Sequence, residues 1–343
     1  MTMKFRALIV AIATIAATLG AGAASAQSAA GFRDYLEQLR PRAQAQGITQ
    51  STLNSVIPTL EFTESVIRID REASGGGGTG PIPRFTGSDE QRAAIGKAPQ
   101  GRELAARWRT LFAEIQREYG VPAGVILAIY GKETNFGGYM GRSDVLSALA
   151  TLAYEGRRRT LFESELIAAM QMVQNGVPRY RLTGSWAGAM GRPQFMPSVY
   201  LRLARDGDGD GEANIWDSEA DALFSIAHYL HQSGWRGDQP WGIPVALPQG
   251  FNRAAVANRT TPTRCPRVFE RHSRWITMAE WRAMGVRPVG RTMGDDVLAT
   301  LLEPDGPGET AYLLTQNYRA ILDYNCSNFY AMAVGLLSDE ISR

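Results

Sequence analysis

Between Gly101 and Gly234 the apolar residues recur at helical spacing in runs that glycines close, so the centre of this chain must be a set of packed helices. From Gly101 to Gln116, Leu104, Trp108, Leu111 and Ile115 share one stripe. Pro122 opens the next helix, where its missing N–H costs nothing, and Gly137 with Gly138 is expected to end it. "LSALATLAYEG" and "LFESELIAAMQMVQNG" read as two more helices. "SEADALFSIAHYLHQSGW" is another, with Leu223, Ile226, Ala227 and Leu230 inward and Gly234 as the stop. From Pro240 to Thr315 the pattern changes: prolines, glycines and short alternating runs such as "WGIPVALP" and "TAYLLT" predict a small sheet. "SNFYAMAVGLLSDEI" returns to helix, with Ser327 as its cap. The expected class is mainly α (α+β), a helical core carrying a small β-containing insertion.

Residues 1–26 read as an export signal. Lys4 and Arg6 precede an apolar run from Ala7 to Gly22, and Ala24-Ser25-Ala26 offers small residues for cleavage before Gln27. No cysteine stands at that point to carry a lipid. Segment 27–100 is expected to hold short helices, with Phe32, Leu36 and Leu39 at helical spacing, and a breaker cluster, "SGGGGTGPIPRF", that includes Gly75–Gly78. Segment 101–240 is the expected core, 241–315 the β-containing part and 316–343 the closing helices. No internal repeat is visible.

Of the 36 basic residues two lie in the signal, so the mature chain balances its 34 acidic ones, and nothing attracts nucleic acid globally. Arg157-Arg158-Arg159 reads as a solvated helix face. Cys265 and Cys326, an even count in an exported protein, read as a disulfide. His228 and His231 lack further ligands at metal spacing and read as packing or surface residues.

"DGDGDGEANIWD", residues 206–217, has the spacing of a calcium loop. Asp206, Asp208 and Asp210 occupy its first, third and fifth positions, and Gly211 stands where a sharp turn is needed. Glu212 is acceptable at the next position, which contributes only a carbonyl. Asp217 replaces the usual closing glutamate and reaches less far, which leaves Asp221 as the other candidate. A single loop suits local stiffening rather than sensing. The bland alternative is an acidic surface turn.

In "AIYGKETNFG", Ile126, Ile129 and Glu133 share one helical face, so a carboxylate ends an apolar stripe. Burial there would keep it protonated and able to donate, as a glycosidase acid must. Asp144 and Glu155 follow, but neither falls on the same face. "GSWAGAMGRPQFMPSVY" (184–200) mixes small residues, hydrogen-bonding groups and rings, a composition that suits either a sugar or a tight helix crossing.

"KETNFG", "GSWAGAMGRPQFMPS", the acidic loop after it and "NYRAILDYNCSNFYAMAVGLL" together resemble the B-type lytic murein transglycosylases, from roughly residue 30 to the C-terminus. The resemblance implies a lysozyme-like helical core with a small β-containing insertion. It implies that Glu133, with Phe136 and Gly137 in an E-x-x-[FW]-G motif, is the single catalytic acid. Ser185, Met190, Gln194 and Phe195 would line the groove, and Tyr229, Tyr324, Asn325 and Tyr330 would make other substrate contacts. Asp206, Asp208, Asp210 and Glu212 would hold calcium. Asp221 gains support over Asp217, although one extra residue before it leaves that choice open.

The chemistry implied is cleavage of the β-1,4 bond between N-acetylmuramic acid and N-acetylglucosamine without water. The partner would be a peptidoglycan glycan strand met by a periplasmic monomer. One carboxylate would serve twice, as acid and then as base towards the muramyl O6 hydroxyl. Two other readings compete: a lysozyme-like hydrolase, which needs a second acidic residue near Glu133, and a non-catalytic wall-binding module stiffened by calcium.

Overall fold

The computed structural model describes residues 29–75, 83–260, 262–263 and 265–343, so the signal and most of the four-glycine loop lie outside the described residues. The chain begins with α1 (Ala29–Ala45), α2 (Gln50–Val56) and α3 (Glu64–Gly75). It continues through α4 (Asp89–Ile95), α5 (Ala98–Arg107), α6 (Arg109–Tyr119) and α7 (Ala123–Thr134). A two-strand ladder, β1 (Ser143–Asp144) with β2 (Thr183–Gly184), brackets α8 (Val145–Glu155) and α9 (Arg159–Gln174). Next come α10 (Pro197–Leu203) and α11 (Glu219–Gln232).

The insertion holds β3 (Gly242–Ala246), α12 (Pro266–Phe269), β4 (Ile276–Thr277), α13 (Met278–Ala283), β5 (Arg287–Pro288), β6 (Leu298–Leu302) and β7 (Ala311–Leu314). Its strands form one antiparallel sheet in the order β4-β6-β7-β3-β5, with Leu313 opposite both Ile243 and Leu301. α14 (Gln316–Tyr324) and α15 (Asn328–Ile341) close the chain. The expected class, mainly helical with a small sheet between Pro240 and Thr315, is the one the chain adopts. Among the described residues no helix is long and apolar enough to cross a membrane.

Caps fix where the helices start. Asp144 accepts the Ser147 N–H at 2.7 Å to begin α8, and Ser327 accepts the Tyr330 N–H at 3.3 Å to begin α15. α7 is buried on nearly every face up to Gly131, as its apolar run demands, and its charged residues, Lys132 and Glu133, fall in the last turn. It packs along α15, and Gly124 lets the two backbones approach, since a Cβ there would fall 2.8 Å from the Ser338 carbonyl oxygen.

Three hydrophobic clusters cut across the expected segments. α4–α7 share one core with α11, α14 and α15, while α1–α3 share a second with α8–α10. The third lies under the sheet, around Trp281, Ile243 and Leu313. Neither 27–100 nor 101–240 is therefore a packing unit of its own, because helices choose partners by shape and not by sequence order.

Three other expectations need correction. The helix across 101–116 breaks at Trp108, whose indole N–H donates to Glu219 Oε2 at 2.6 Å while its backbone leaves the helical region. α7 ends at Thr134, before either glycine, because Asn135 already takes the left-handed conformation. The arginine run is not merely solvated: Arg157 and Arg158 both pair with Asp70 of α3, which is 1% exposed. An isolated carboxylate cannot stay charged in a core, so these guanidiniums pin α3 to the turn before α9. Cys265 and Cys326 form a disulfide, with Cα atoms 5.9 Å apart, that ties α12 to the entry of α15.

Gly335 on α15 faces the indole of Trp241, which leads into β3, and a Cβ there would fall 2.6 Å from the ring. Gly335→Ala is expected to cost about 1–3 kcal/mol by overpacking, read as a lowered thermal midpoint.

Candidate active site

Glu133 stands in the last turn of α7, at the boundary between the two helical cores. After Thr134, three residues in succession have positive φ: Asn135 (52°), Phe136 (57°) and Gly137 (81°). Non-glycine residues resist this region, so the turn persists only because its surroundings hold it. The Phe136 ring lies edge-on to Tyr130 and against Gly131, where a Cβ would come within 2.6 Å of it. Thr134 Oγ1 accepts the Gly137 N–H at 3.1 Å.

The carboxyl of Glu133 is closely surrounded, although the residue remains partly open to solvent. Burial raises its pKa to about 7, opposed by the Tyr330 hydroxyl, which donates to Oε1 at 2.6 Å, and by the charge of Lys132. Lys132 is itself paired with Glu90 of α4. Among the described residues, the groups that act on Glu133 include no second carboxylate. An acid at this value is half protonated near neutrality and can both give and take a proton.

Residues 184–195 form a compact hairpin beside this turn. Met190 and Phe195 exchange backbone hydrogen bonds of 2.8 and 3.0 Å, and Ser185 Oγ accepts the Ala189 N–H at 3.0 Å. Close approach explains the glycines: a Cβ on Gly141 would fall 2.1 Å from the Gly184 oxygen. Gln194, at φ 53°, donates through Nε2 to the carbonyls of Met140 and Gly191. Ser185 and Gln194 are half-buried polar groups. Met190 and Phe195, expected to line a groove, are 0% and 2% exposed and pack into the second core. The alternation along a hairpin turns them inward, so they support a wall instead of facing a ligand.

Phe195 joins Tyr229 and Tyr324 in one aromatic cluster, the two tyrosine rings 4.6 Å apart between centroids. Tyr324 donates its hydroxyl to the Pro193 carbonyl and Tyr229 to the Asp323 carbonyl, each at 2.6 Å. Both hydroxyls therefore brace backbone. Tyr330 touches Glu133 directly, and Asn325 stands exposed at the end of α14.

Sequence spacing missed a second set of residues. Arg192 donates to the Tyr130 hydroxyl at 2.6 Å, and Tyr130 donates to Glu219 Oε1 at 3.0 Å. Lys132, beside Glu133, was also passed over. An arginine inside a groove motif and a tyrosine inside an apolar run gave no signal, because only the fold brings α7, the hairpin and α11 together.

In the acidic loop, Asp206, Asp208 and Asp210 each place one oxygen within 4.8 Å of the others, on the surface. Asp206 accepts the N–H groups of Gly209 and Gly211 at 2.6 and 2.8 Å, which holds its carboxyl below the usual range. Three hard, anionic oxygens around a sharp turn fit calcium. The Glu212 side chain turns away to Arg181 at 3.2 Å, so any contribution to a cation would come from its carbonyl. Asp217 also faces Arg181. Asp221, 0% exposed, accepts the N–H groups of Gly207 and Asn214 and so laces the two ends of the loop. Its carboxylate lies outside the group of three. His228 and His231 bond the carbonyls of Leu203 and Tyr119, as packing residues do.

A family model described as a transglycosylase SLT domain matches residues 31–339. Membrane-bound lytic murein transglycosylase B of Escherichia coli (strain K12) is 36% identical over 228 residues, which is 65% of this chain and 58% of that protein's length. SltB3 from Pseudomonas aeruginosa, solved in complex with NAG-NAM-pentapeptide, is 36% identical with a TM-score of 0.79, over 91% of this chain and 79% of that one. The Escherichia coli lytic transglycosylase Slt35, solved in complex with calcium, is 27% identical with a TM-score of 0.70, over 91% and 92%. The described fold is thus that of the lysozyme-like lytic transglycosylases.

Burial of Glu133 also has a stability consequence. A carboxyl raised from 4.5 to about 7 binds its proton more tightly in the folded chain, so its contribution is present at low pH and is lost as pH rises through about 7. Glu133→Gln is expected to melt higher than wild type at pH about 8, by about 2 kcal/mol, with the gap closing as pH falls towards about 4. Equal melting curves across that range would contradict the buried assignment.

Proposed function

The chain belongs to the SLT-domain transglycosylase family, and from that premise we propose that it is a lytic murein transglycosylase. It would cleave the β-1,4 bond between N-acetylmuramic acid and N-acetylglucosamine in peptidoglycan and leave a 1,6-anhydromuramyl end. One observation carries this reading: a carboxyl raised to about 7 by burial and hydrogen-bonded by Tyr330, with no second carboxylate acting on it among the described residues.

Glu133 in its protonated form donates to the departing glycosidic oxygen. The substrate's own acetamido group supports the developing positive centre. The Tyr330 hydroxyl then steadies the Glu133 carboxylate, which next takes the proton from the muramyl O6 hydroxyl as that oxygen closes the ring. Water is not consumed, because an intramolecular nucleophile held in position competes at high effective molarity. Ser185, Gln194 and Asn325 offer polar groups to the sugar, while Tyr229 and Tyr324 offer ring edges over the Phe195 floor. Support for a peptidoglycan ligand comes from the similar Pseudomonas aeruginosa protein, solved with a NAG-NAM-pentapeptide. We assign the working location to the periplasm and the working form to a monomer.

The acidic loop would hold a structural calcium ion through Asp206, Asp208, Asp210 and the Glu212 carbonyl, while Asp221 would draw the two ends of the loop together through the Gly207 and Asn214 N–H groups. The ion would neutralise the three clustered carboxylates and stiffen the entry to α11. The calcium complex of the similar Escherichia coli protein supports the assignment.

Mass spectrometry of purified peptidoglycan digested by the protein tests the activity. Anhydromuramyl products are expected from wild type, and Glu133→Gln should reduce them by at least about a hundredfold. Products heavier by one water would point instead to a hydrolase, and no cleavage by either protein to a binding module. Separately, a chelator is expected to lower the thermal midpoint by about 5 °C, with added calcium restoring it, since an ion that binds only the folded state stabilises it. An unchanged midpoint would remove the calcium assignment.

A further inference from the structure

Arg192 ties together the end of α7, the hairpin and the far end of the acidic loop. Its backbone N–H donates to the Ile215 carbonyl at 3.0 Å and its Nε to the Trp216 carbonyl at 3.1 Å, both at the far end of the acidic loop. Its own carbonyl accepts the Thr134 hydroxyl at 3.0 Å, one residue after Glu133. Its Nη1 donates to the Tyr130 hydroxyl, one helical turn before Glu133. Tyr130 in turn donates a hydrogen bond to Glu219 Oε1, and the other oxygen of that carboxylate accepts the Trp108 indole N–H.

The guanidinium also packs directly on the strained turn. A Cβ at Gly137 would fall 2.2 Å from Arg192 Nη1 and 2.7 Å from the Tyr130 oxygen, so the pair presses against that backbone. Three successive residues at positive φ will not hold themselves. On one side the turn is held by Phe136 against Gly131; on the other it is held by Thr134, Arg192 and Tyr130. The same arginine belongs to the hairpin that carries Ser185 and Gln194, so it fixes the distance between the acid and that wall.

We propose that Arg192, braced by Tyr130 and Glu219, is a positioning residue for Glu133, keeping the catalytic turn in register with the Ser185–Gln194 hairpin. This inference rests on the lytic transglycosylase reading for its kinetic consequence but not for its structural one. None of the three residues touches the reacting carboxyl; the unit acts through the backbone of residues 134–137.

The test uses the full chain with Tyr130→Phe, which removes one oxygen and keeps the ring packed, and Arg192→Met, which keeps the length and removes the donors. On glycan strands each is expected to lower kcat about tenfold with KM nearly unchanged, since a misplaced acid costs turnover and not affinity. The double variant should be no worse than the worse single one, because the two act as a unit. The second readout needs no turnover: the Glu133 carboxyl titration, followed by NMR in glutamate-labelled protein. Tyr330, Tyr324 and Lys132 are the groups that face this carboxyl, and all three remain in both variants. A loosened turn admits water, so the midpoint should fall by about one unit towards the ordinary carboxyl range. Additive kinetic losses, or an unmoved midpoint in folded Tyr130→Phe, would overturn the proposal. Wild type that releases no anhydromuramyl product would instead overturn the functional reading and leave the titration to judge Arg192.

Discussion

A carboxyl kept away from water at the end of a buried helix is the constraint around which this molecule is arranged. Glu133 gains a raised pKa only because α7 is enclosed by α15, α11 and the N-terminal helices of its core. It stays usable only because one edge remains open and Tyr330 supplies a single hydrogen bond. More donors would lower the pKa and fewer would leave a costly orphan charge. The value near neutrality is the balance of those two demands.

Much of the rest of the structure serves to hold that balance. α15 delivers Tyr330, and its entry is capped by Ser327 and tethered by the Cys265–Cys326 disulfide. Tyr229 and Tyr324 spend their hydroxyls on backbone carbonyls, which fixes the rings behind Phe195. The sheet lies outside this arrangement, but Trp241 at its edge packs against Gly335 and so steadies α15 from behind. Strain at Asn135 and Phe136 is tolerated for the same purpose: it stops α7 abruptly and frees the chain to meet the hairpin.

The two helical cores also explain why the site lies where it does. One core contains α7 and α15, the other α8, α9 and the hairpin, and Tyr324 packs against both. The boundary between two cores can present polar groups from each without burying unpaired ones in either. The acidic loop lies at the start of α11, which carries Glu219 at one end and Tyr229 near the other.

The sequence by itself determined the helical class, the small sheet after Pro240, the disulfide pair, the acidic loop and the place of a carboxyl, Glu133, at the end of an apolar helix stripe. These follow from local rules: periodicity, caps, turn residues and the spacing of like charges. It misjudged what depends on partners distant in the chain. Met190 and Phe195 look like ligand contacts until the hairpin turns them inward, and the arginines at 157–159 look solvated until Asp70 arrives from α3. Trp108 continues a helical stripe until Glu219 draws its indole aside. Only the tertiary structure decided these, and only it assembled Arg192, Tyr130 and Glu219. A buried polar group is defined by its partner, and nothing in local spacing specifies a partner 62 or 89 residues away.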